Sequence, residues 1–323
     1  MPNYTFGFEA EYQRNVAPLA QRLAHLNLTI DSHIHNYTCD CEGCIVSVYD
    51  EDAGSTYDSP DIYPLRVKAD SSCDGEVISK VYSSPDDNEI MSLWNQLEET
   101  ALAVDAEPGF SSGFHVHVGR NHHDAYNRGL LVLAMASWED ALLKLAAGRW
   151  TRNRNWNMSL NTLLSFAFDR IIDQYDIDET LGFDKSSMVL DWVRKNSEDV
   201  YDICVELAYD HTNIDRHSSM AWSPRHPTLE FRLWNSTRVA WRMELWCRMS
   251  LLLADPNFVS VLIDNWTPDV SFLDIPRCVS DYFRVSGDDG RNTHTRTLDL
   301  LERQVNYLDS NPRIEMSTPF IAM

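Results

Sequence analysis

Lysine is scarce in this chain: Lys68, Lys80, Lys144, Lys185 and Lys195 are the only five in 323 residues, and the other basic residues are arginines. Positive charge of either kind is outnumbered, with 27 Lys and Arg against 49 Asp and Glu, for a formal net charge of −22. Proteins bind a nucleic-acid backbone by displacing its counterions with basic residues, so this balance argues against nucleic acid as a partner. An acidic surface is likewise repelled by anionic membranes. A nucleotide is not excluded, because a site can be locally positive or carry metal ions.

Long apolar runs are missing too. The longest, Leu130 to Ala136 and Leu251 to Ala254, fall far short of a membrane span. Met1-Pro2-Asn3 leads directly into a strand pattern without the charged and apolar regions of a signal peptide, and the expectation is a cytoplasmic protein. Seven cysteines, an odd number, do not suggest a secreted disulfide framework. There is no G-x-x-x-x-G-K-[ST] loop and no G-x-G-x-x-G after a strand, which argues against P-loop and Rossmann nucleotide binding. Internal repeats, low-complexity segments and Pro/Gly/Ser linkers are absent as well. One compact domain over residues 1–323 is expected, with a Cys/His-rich insertion at 31–62 and a C-terminal helical extension at 256–323.

What is present is the composition of an ordinary globular protein, 44% hydrophobic and 24% charged, enough to bury a real core. Period-two alternation predicts strands over Tyr4 to Tyr12, Ile45 to Tyr49, Tyr63 to Ala69, Glu76 to Tyr82, His115 to Val118 and Thr228 to Trp234. Helices are expected from Val16 to Leu26, from Asp124 to near Gly148, within residues 161–209, and from Arg238 to Leu253. Ser84-Pro85-Asp86-Asp87 reads as the start of another, running to about Val104. Beyond Pro256 the pattern is of short helices and loops, with Thr293 to Leu308 the clearest helix. The class is α+β: a curved, mainly antiparallel sheet with one wet face and helices packed on the other.

Four strand-like segments present reactive residues two apart, and alternate side chains of a strand share a face. Glu9 with Glu11, His115 with His117, and Glu230 with Arg232 therefore project together, and Glu76 follows Asp74-Gly75. If these strands are neighbours, one wet face holds several carboxylates, two imidazoles and a guanidinium. Carboxylates so crowded force one another to take up protons unless cations intervene. An oxygen-rich site with an imidazole suits magnesium or manganese.

The order of these elements is familiar. E-x-E (Glu9, Glu11), then D-x5-E (Asp70, Glu76), then S-G-F-H-V-H-V-G (Ser112 to Gly119), then R-x2-R-x-R (Arg149, Arg152, Arg154), then L-E-F-R (Leu229 to Arg232) resembles the amidoligase family. That family is related to glutamine synthetase and glutamate–cysteine ligase. Each element alone is weak, but the ordered set is specific; it leaves the last part of the chain unassigned. The resemblance implies a glutamine-synthetase-like catalytic sheet, ATP, and two magnesium or manganese ions. It implies that Glu9, His115 and Glu230 hold the ion that grips the nucleotide, and that Glu11 and Glu76, with Asp70, hold the one nearer the substrate. His117 and Arg232 would contact phosphate oxygens. Arg149, Arg152 and Arg154 match a basic segment after the long helix, and Arg216 an arginine before the last strand. The activity implied is joining a small-molecule or peptide carboxylate to an amine through an acyl phosphate. No residue matches the acidic flap group that serves as base in glutamine synthetase.

The bland alternatives are a solvated strand face for Glu9 and Glu11, a cross-strand ion pair for Glu230 and Arg232, and a helix cap for Arg149, Arg152 and Arg154. Trp222, Trp234, Trp241 and Trp246 read as core or groove lining. A second cluster, His33 to Cys44, places three thiols and two imidazoles within twelve residues. Cys39, Cys41, Cys44 and His35 are the ligand types of a structural zinc site, and a reduced flexible loop is the alternative. His33 and His35 after Thr29-Ile30-Asp31 also resemble the first H-x-H of an amidohydrolase barrel, which makes a metal-dependent hydrolase the competing function. A non-catalytic binding protein on the same scaffold is the third reading.

Overall fold

A computed structural model describes residues 4–29, 63–69, 73–109, 112–119, 124–146, 219–222, 228–267, 269–286 and 291–310. In chain order its elements are β1 (Phe6–Tyr12), α1 (Val16–His25), β2 (Leu65–Lys68), β3 (Gly75–Ser79), α2 (Asn88–Ala103), β4 (Gly113–Gly119) and α3 (Ala125–Leu145). They continue with β5 (Met220–Trp222), β6 (Thr228–Asn235), α4 (Ala240–Leu253), α5 (Pro256–Asn265), α6 (Ile275–Ser286) and α7 (Arg291–Ser310). The strands form one open sheet in the order β2-β3-β1-β4-β6-β5, and every pairing is antiparallel. This is the mixed class of helices and antiparallel sheet that the alternation predicts. It is not the parallel strand–helix barrel that the hydrolase reading requires.

The strands send most of their apolar residues to one side. Phe6, Phe8, Ala10 and Tyr12 of β1, Phe114, Val116 and Val118 of β4, and Leu65 and Val67 of β2 are all buried. Helix α4 lies across this face against β4 and β1, with α2 and α7 packed on its other sides. A helix enclosed in this way needs apolar residues all round, and α4 buries nearly every residue from Met243 to Leu253. Trp234 of β6 and Trp246 of α4 stack with ring centroids 4.7 Å apart, and Trp234 Nε1 donates to Ser250 Oγ at 2.8 Å. Such a pair adds about 0.5–1.5 kcal/mol beyond the area it buries. Trp241 is half-buried beneath the guanidinium groups of Arg242 and Arg303, while the Trp222 side chain lies outside the described residues.

Several helix starts differ from the expectation. Helix α2 begins at Asn88, not at Pro85, because it is Asp87 that accepts from a first-turn N–H, Glu89 N at 2.8 Å. Ser84 Oγ accepts from Asp86 N at 3.1 Å in a preceding turn, and the Asp86 carboxylate is drawn aside to Arg248. Helix α4 begins at Ala240, whose N–H is satisfied by Glu98 Oε2 at 3.1 Å. The region after Pro256 is more helical than expected, because its three helices bury one face each against the rest. Asp255 caps α5 with Pro256 at the first position, and Trp138 and Trp266 clamp α5 to α3 through bonds of 2.9 Å to the Leu262 and Ser137 carbonyls. The short strand β5 carries no pattern long enough to be read. The strand expected over Ile45 to Tyr49 and the helices within 161–209 lie outside the described residues.

Candidate metal centre

The polar face of the sheet is assembled by strand register. Glu11 of β1 pairs with Glu76 of β3, Glu9 with Ile78, and, on the other side, Glu9 with His115 and Gly7 with His117 of β4. His117 in turn pairs with Glu230 of β6, and Glu230 with Ala221 of β5. One diagonal band therefore runs from Glu76 through Glu11, Glu9, His115 and His117 to Glu230. The residues beside His117 and Glu230 in the register, Gly7 and Ala221, are small.

At its centre the band is tightly drawn. His115, buried, sets Nδ1 3.4 Å from Glu9 Oε2 and 3.5 Å from Glu230 Oε1, and Nε2 3.5 Å from Glu11 Oε1. His117 Nε2 lies 3.3 Å from Glu9 Oε1, while its Nδ1 meets Thr228 Oγ1 at 3.3 Å. Glu11 accepts the Gly113 backbone N–H at 2.5 Å, which holds the carboxylate toward β4. Glu76 is approached by Lys68 Nζ at 3.6 Å, and Arg232 is ion-paired to Glu230. A bulge sets three steps of β6 against two of β4, since Phe114 pairs with Trp234 and Val116 with Phe231. The extra residue lies at Arg232–Leu233, opposite His115, where the bend lets Phe231 and Trp234 both reach the core.

The electrostatics follow from this crowding. Burial alone would raise Glu9, but the charge of His117 and the polar contacts of His115 and His117 hold its carboxyl well below the ordinary value. Burial would lower His117, yet the neighbouring Glu9 and the charge of Glu230 outweigh it, and Arg232 as well, so that the imidazole is pushed up to about 9. In the metal-free protein, a proton on His117 thus does the work of a cation between two carboxylates.

Ligand atoms of Glu9, His117 and Glu230 all lie within 4.8 Å of one another, the one such cluster among the described residues. The donors fit a divalent ion: two carboxylates and an imidazole whose Nε2 is buried without a well-aligned hydrogen bond. The imidazole at this spacing is that of His117, whereas the sequence resemblance assigns His115 to the set. His115 touches Glu9, Glu11 and Glu230 together. Glu11 and Glu76 face each other one strand further on. Asp70, Arg149, Arg152, Arg154 and Arg216 lie outside the described residues, as do His35, Cys39, Cys41 and Cys44 of the proposed zinc site. Thr228 and Lys68 were missed by sequence reasoning. Each stands on the wet face of its strand, two residues before Glu230 and opposite Glu76 respectively, but neither identity is distinctive by itself.

No curated protein and no solved structure matches the chain. A family model described as "Putative amidoligase enzyme" matches residues 2–254, a stretch that begins before β1, ends after α4 and includes every residue of the band. The chain therefore belongs to the amidoligase family.

Proposed function

We propose that this protein is an ATP-dependent carboxylate–amine ligase that works through an acyl phosphate on a two-metal, glutamine-synthetase-like sheet. The observation that carries the reading is the convergence of Glu9, His117 and Glu230 within ligand distance, directly beside the opposed pair Glu11 and Glu76. Membership of the amidoligase family supports the ligase class.

Glu9, His117 and Glu230 would hold one magnesium or manganese ion, and Glu11 and Glu76, with Asp70, the other. Bound there, divalent ions neutralise phosphate oxygens and stabilise charge on the transferring phosphoryl group. The side chains around them have separate tasks. His115 braces three carboxylates at once, and Thr228 fixes the ring of His117 so that Nε2 faces the site. Arg232, oriented by Glu230, offers its remaining N–H groups to phosphate oxygens. Arg149, Arg152, Arg154 and Arg216 are assigned to the same anionic substrate or nucleotide.

The chemistry balances in two steps. A substrate carboxylate oxygen bonds to the γ-phosphorus of ATP as the bond to the bridging oxygen breaks, releasing ADP. A neutral amine then bonds to the acyl carbon, phosphate leaves with the C–O bonding pair, and the amine's surplus proton passes to a base. The Cys39, Cys41, Cys44 and His35 cluster is proposed as a structural zinc staple with no part in the reaction.

The test is ADP release from magnesium-ATP by the purified protein with pooled carboxylates and amines. ADP release that requires both substrates and disappears in Glu9→Ala and Arg232→Ala supports the ligase. Magnesium-dependent ATP binding without turnover in any pool would favour a binding protein, and absence of ATP binding would overturn the proposal.

A further inference from the structure

Helix α3 buries a carboxylate that the proposed chemistry does not use. Glu139 is 4% exposed, with buried Met135 and Leu142 one turn away on either side. A carboxylate in such a place is costly unless it is hydrogen-bonded. The Ser219 hydroxyl donates to its Oε1 at 2.7 Å, and Ser219 is buried as well. Ser219 stands immediately before β5 and carries the ladder one step past the Met220–Phe231 pair: its carbonyl accepts the Arg232 N–H at 2.8 Å. That bond falls at the bulge, where the pairing of β6 with β4 is interrupted, so the backbone of Arg232 is held from the β5 side. Strand β5 has three residues, and a strand this short fixes little by itself.

The helix that carries Glu139 is firmly mounted, since the same turn of α3 is clamped to α5 through Trp138 and Trp266. Arg232 is thereby gripped twice. Glu230 holds its guanidinium, and Ser219, tethered to α3 by Glu139, holds its backbone. We infer that Glu139 is a positioning residue for Arg232: through Ser219 it sets where that guanidinium stands over the acidic band. The inference rests on the ligase reading, in which Arg232 meets phosphate oxygens, and extends that site through the sheet to a helix on its other face. Placement matters there, because a misplacement of about 1 Å caused by a change far from the chemistry can cost about a hundredfold in rate. A hydrogen bond that merely joined α3 to the sheet would add to stability without acting through Arg232.

The experiment titrates full-length protein calorimetrically with a non-hydrolysable ATP analogue and magnesium. Glu139→Ala, Glu139→Gln and Ser219→Ala are each measured alone and combined with Arg232→Gln. Glu139→Ala is expected to weaken analogue binding about fivefold when Arg232 is present and less than about twofold once Arg232→Gln is in place, because residues that act through one another are non-additive. Glu139→Gln, which still offers an oxygen to the Ser219 hydroxyl, is expected to restore most of the affinity. Ser219→Ala deletes the hydroxyl and spares the carbonyl, and it should repeat the pattern even if Glu139→Ala fails to fold. No loss in the single variants, an equal loss in both backgrounds, or a Glu139→Gln as weak as Glu139→Ala overturns the positioning role and leaves the ligase reading intact. Failure of the wild-type protein to bind the analogue overturns both.

Discussion

His117 Nε2 approaches Glu9 Oε1 to 3.3 Å although the two residues are not register partners; Glu9 pairs with His115, and His117 pairs with Gly7. The contact is diagonal, within reach of long side chains two residues out of step. His115 meanwhile contacts Glu9, Glu11 and Glu230, so that Glu9 is shared between both imidazoles. The neighbour that would otherwise crowd His117 is a glycine.

Removing the shared carboxylate should therefore dismantle the centre. Glu9→Gln is expected to lower metal-dependent ADP release by about 10²–10³-fold, the scale seen when a group that stabilises transition-state charge is deleted. Manganese binding followed by electron paramagnetic resonance should weaken in parallel, with an unchanged far-ultraviolet circular dichroism spectrum. Activity within twofold of the wild type would remove Glu9 from the site.

Arg232→Lys tests whether the guanidinium fork is required or only its charge. Lysine keeps the charge but loses the planar guanidinium fork and its contact with Glu230. A fall in kcat of about 10–10²-fold with a smaller change in KM for ATP is expected if the fork acts mainly in the transition state. A change confined to KM would instead assign Arg232 to ground-state nucleotide binding.

Stability rests on a charged network far from the centre. Arg248, fully buried on α4, pairs with Glu244 at 2.9 Å and Asp86 at 2.6 Å, and Arg296 of α7 reaches Glu244 at 2.6 Å. Arg248→Met should destabilise the fold by about 3–5 kcal/mol, since it strips a partner from a buried acid. The urea midpoint would register this, and a variant as stable as the wild type would show that Arg296 alone suffices for Glu244.

Asp86 carries the acid sensitivity of that network. Burial raises its carboxyl, but the Thr293 hydroxyl and Arg248 outweigh burial and hold it below the ordinary value. A depressed folded-state value means that the stabilisation is present above the unfolded value of about 3.9 and is lost as pH falls through the folded one. Asp86→Asn should therefore lower stability at neutral pH and make the decline below about pH 4 shallower. Urea melts from pH 2 to pH 7 would check it; parallel curves for the two proteins would contradict the assignment.

The local geometry of the site was legible wherever a strict period of two could be read. F-G-F-E-A-E-Y must put Glu9 and Glu11 on one face because its aromatics claim the other, and the same holds for the two histidines of F-H-V-H-V. Helix α1 followed from its apolar face, and the end of α2 lies where it was expected, near Val104. The start of α2 did not follow, because Asp86 is claimed by Arg248, which comes 162 residues later in the chain. Strand β5, three residues long, offers too few alternations to be seen at all.

The sequence by itself determined which residues could share a face, since backbone pleating forces alternate side chains apart whatever surrounds them. It also carried the ordered motifs that identify the family. Only the tertiary structure decided that β1 lies between β3 and β4, that β6 adjoins β4, and that His115 and His117 both come close to the carboxylates of Glu9 and Glu230. Pairing partners and the bulge at Arg232 depend on how the whole apolar face closes over α4. That closure is a sum over residues distant in sequence, and no local pattern contains it.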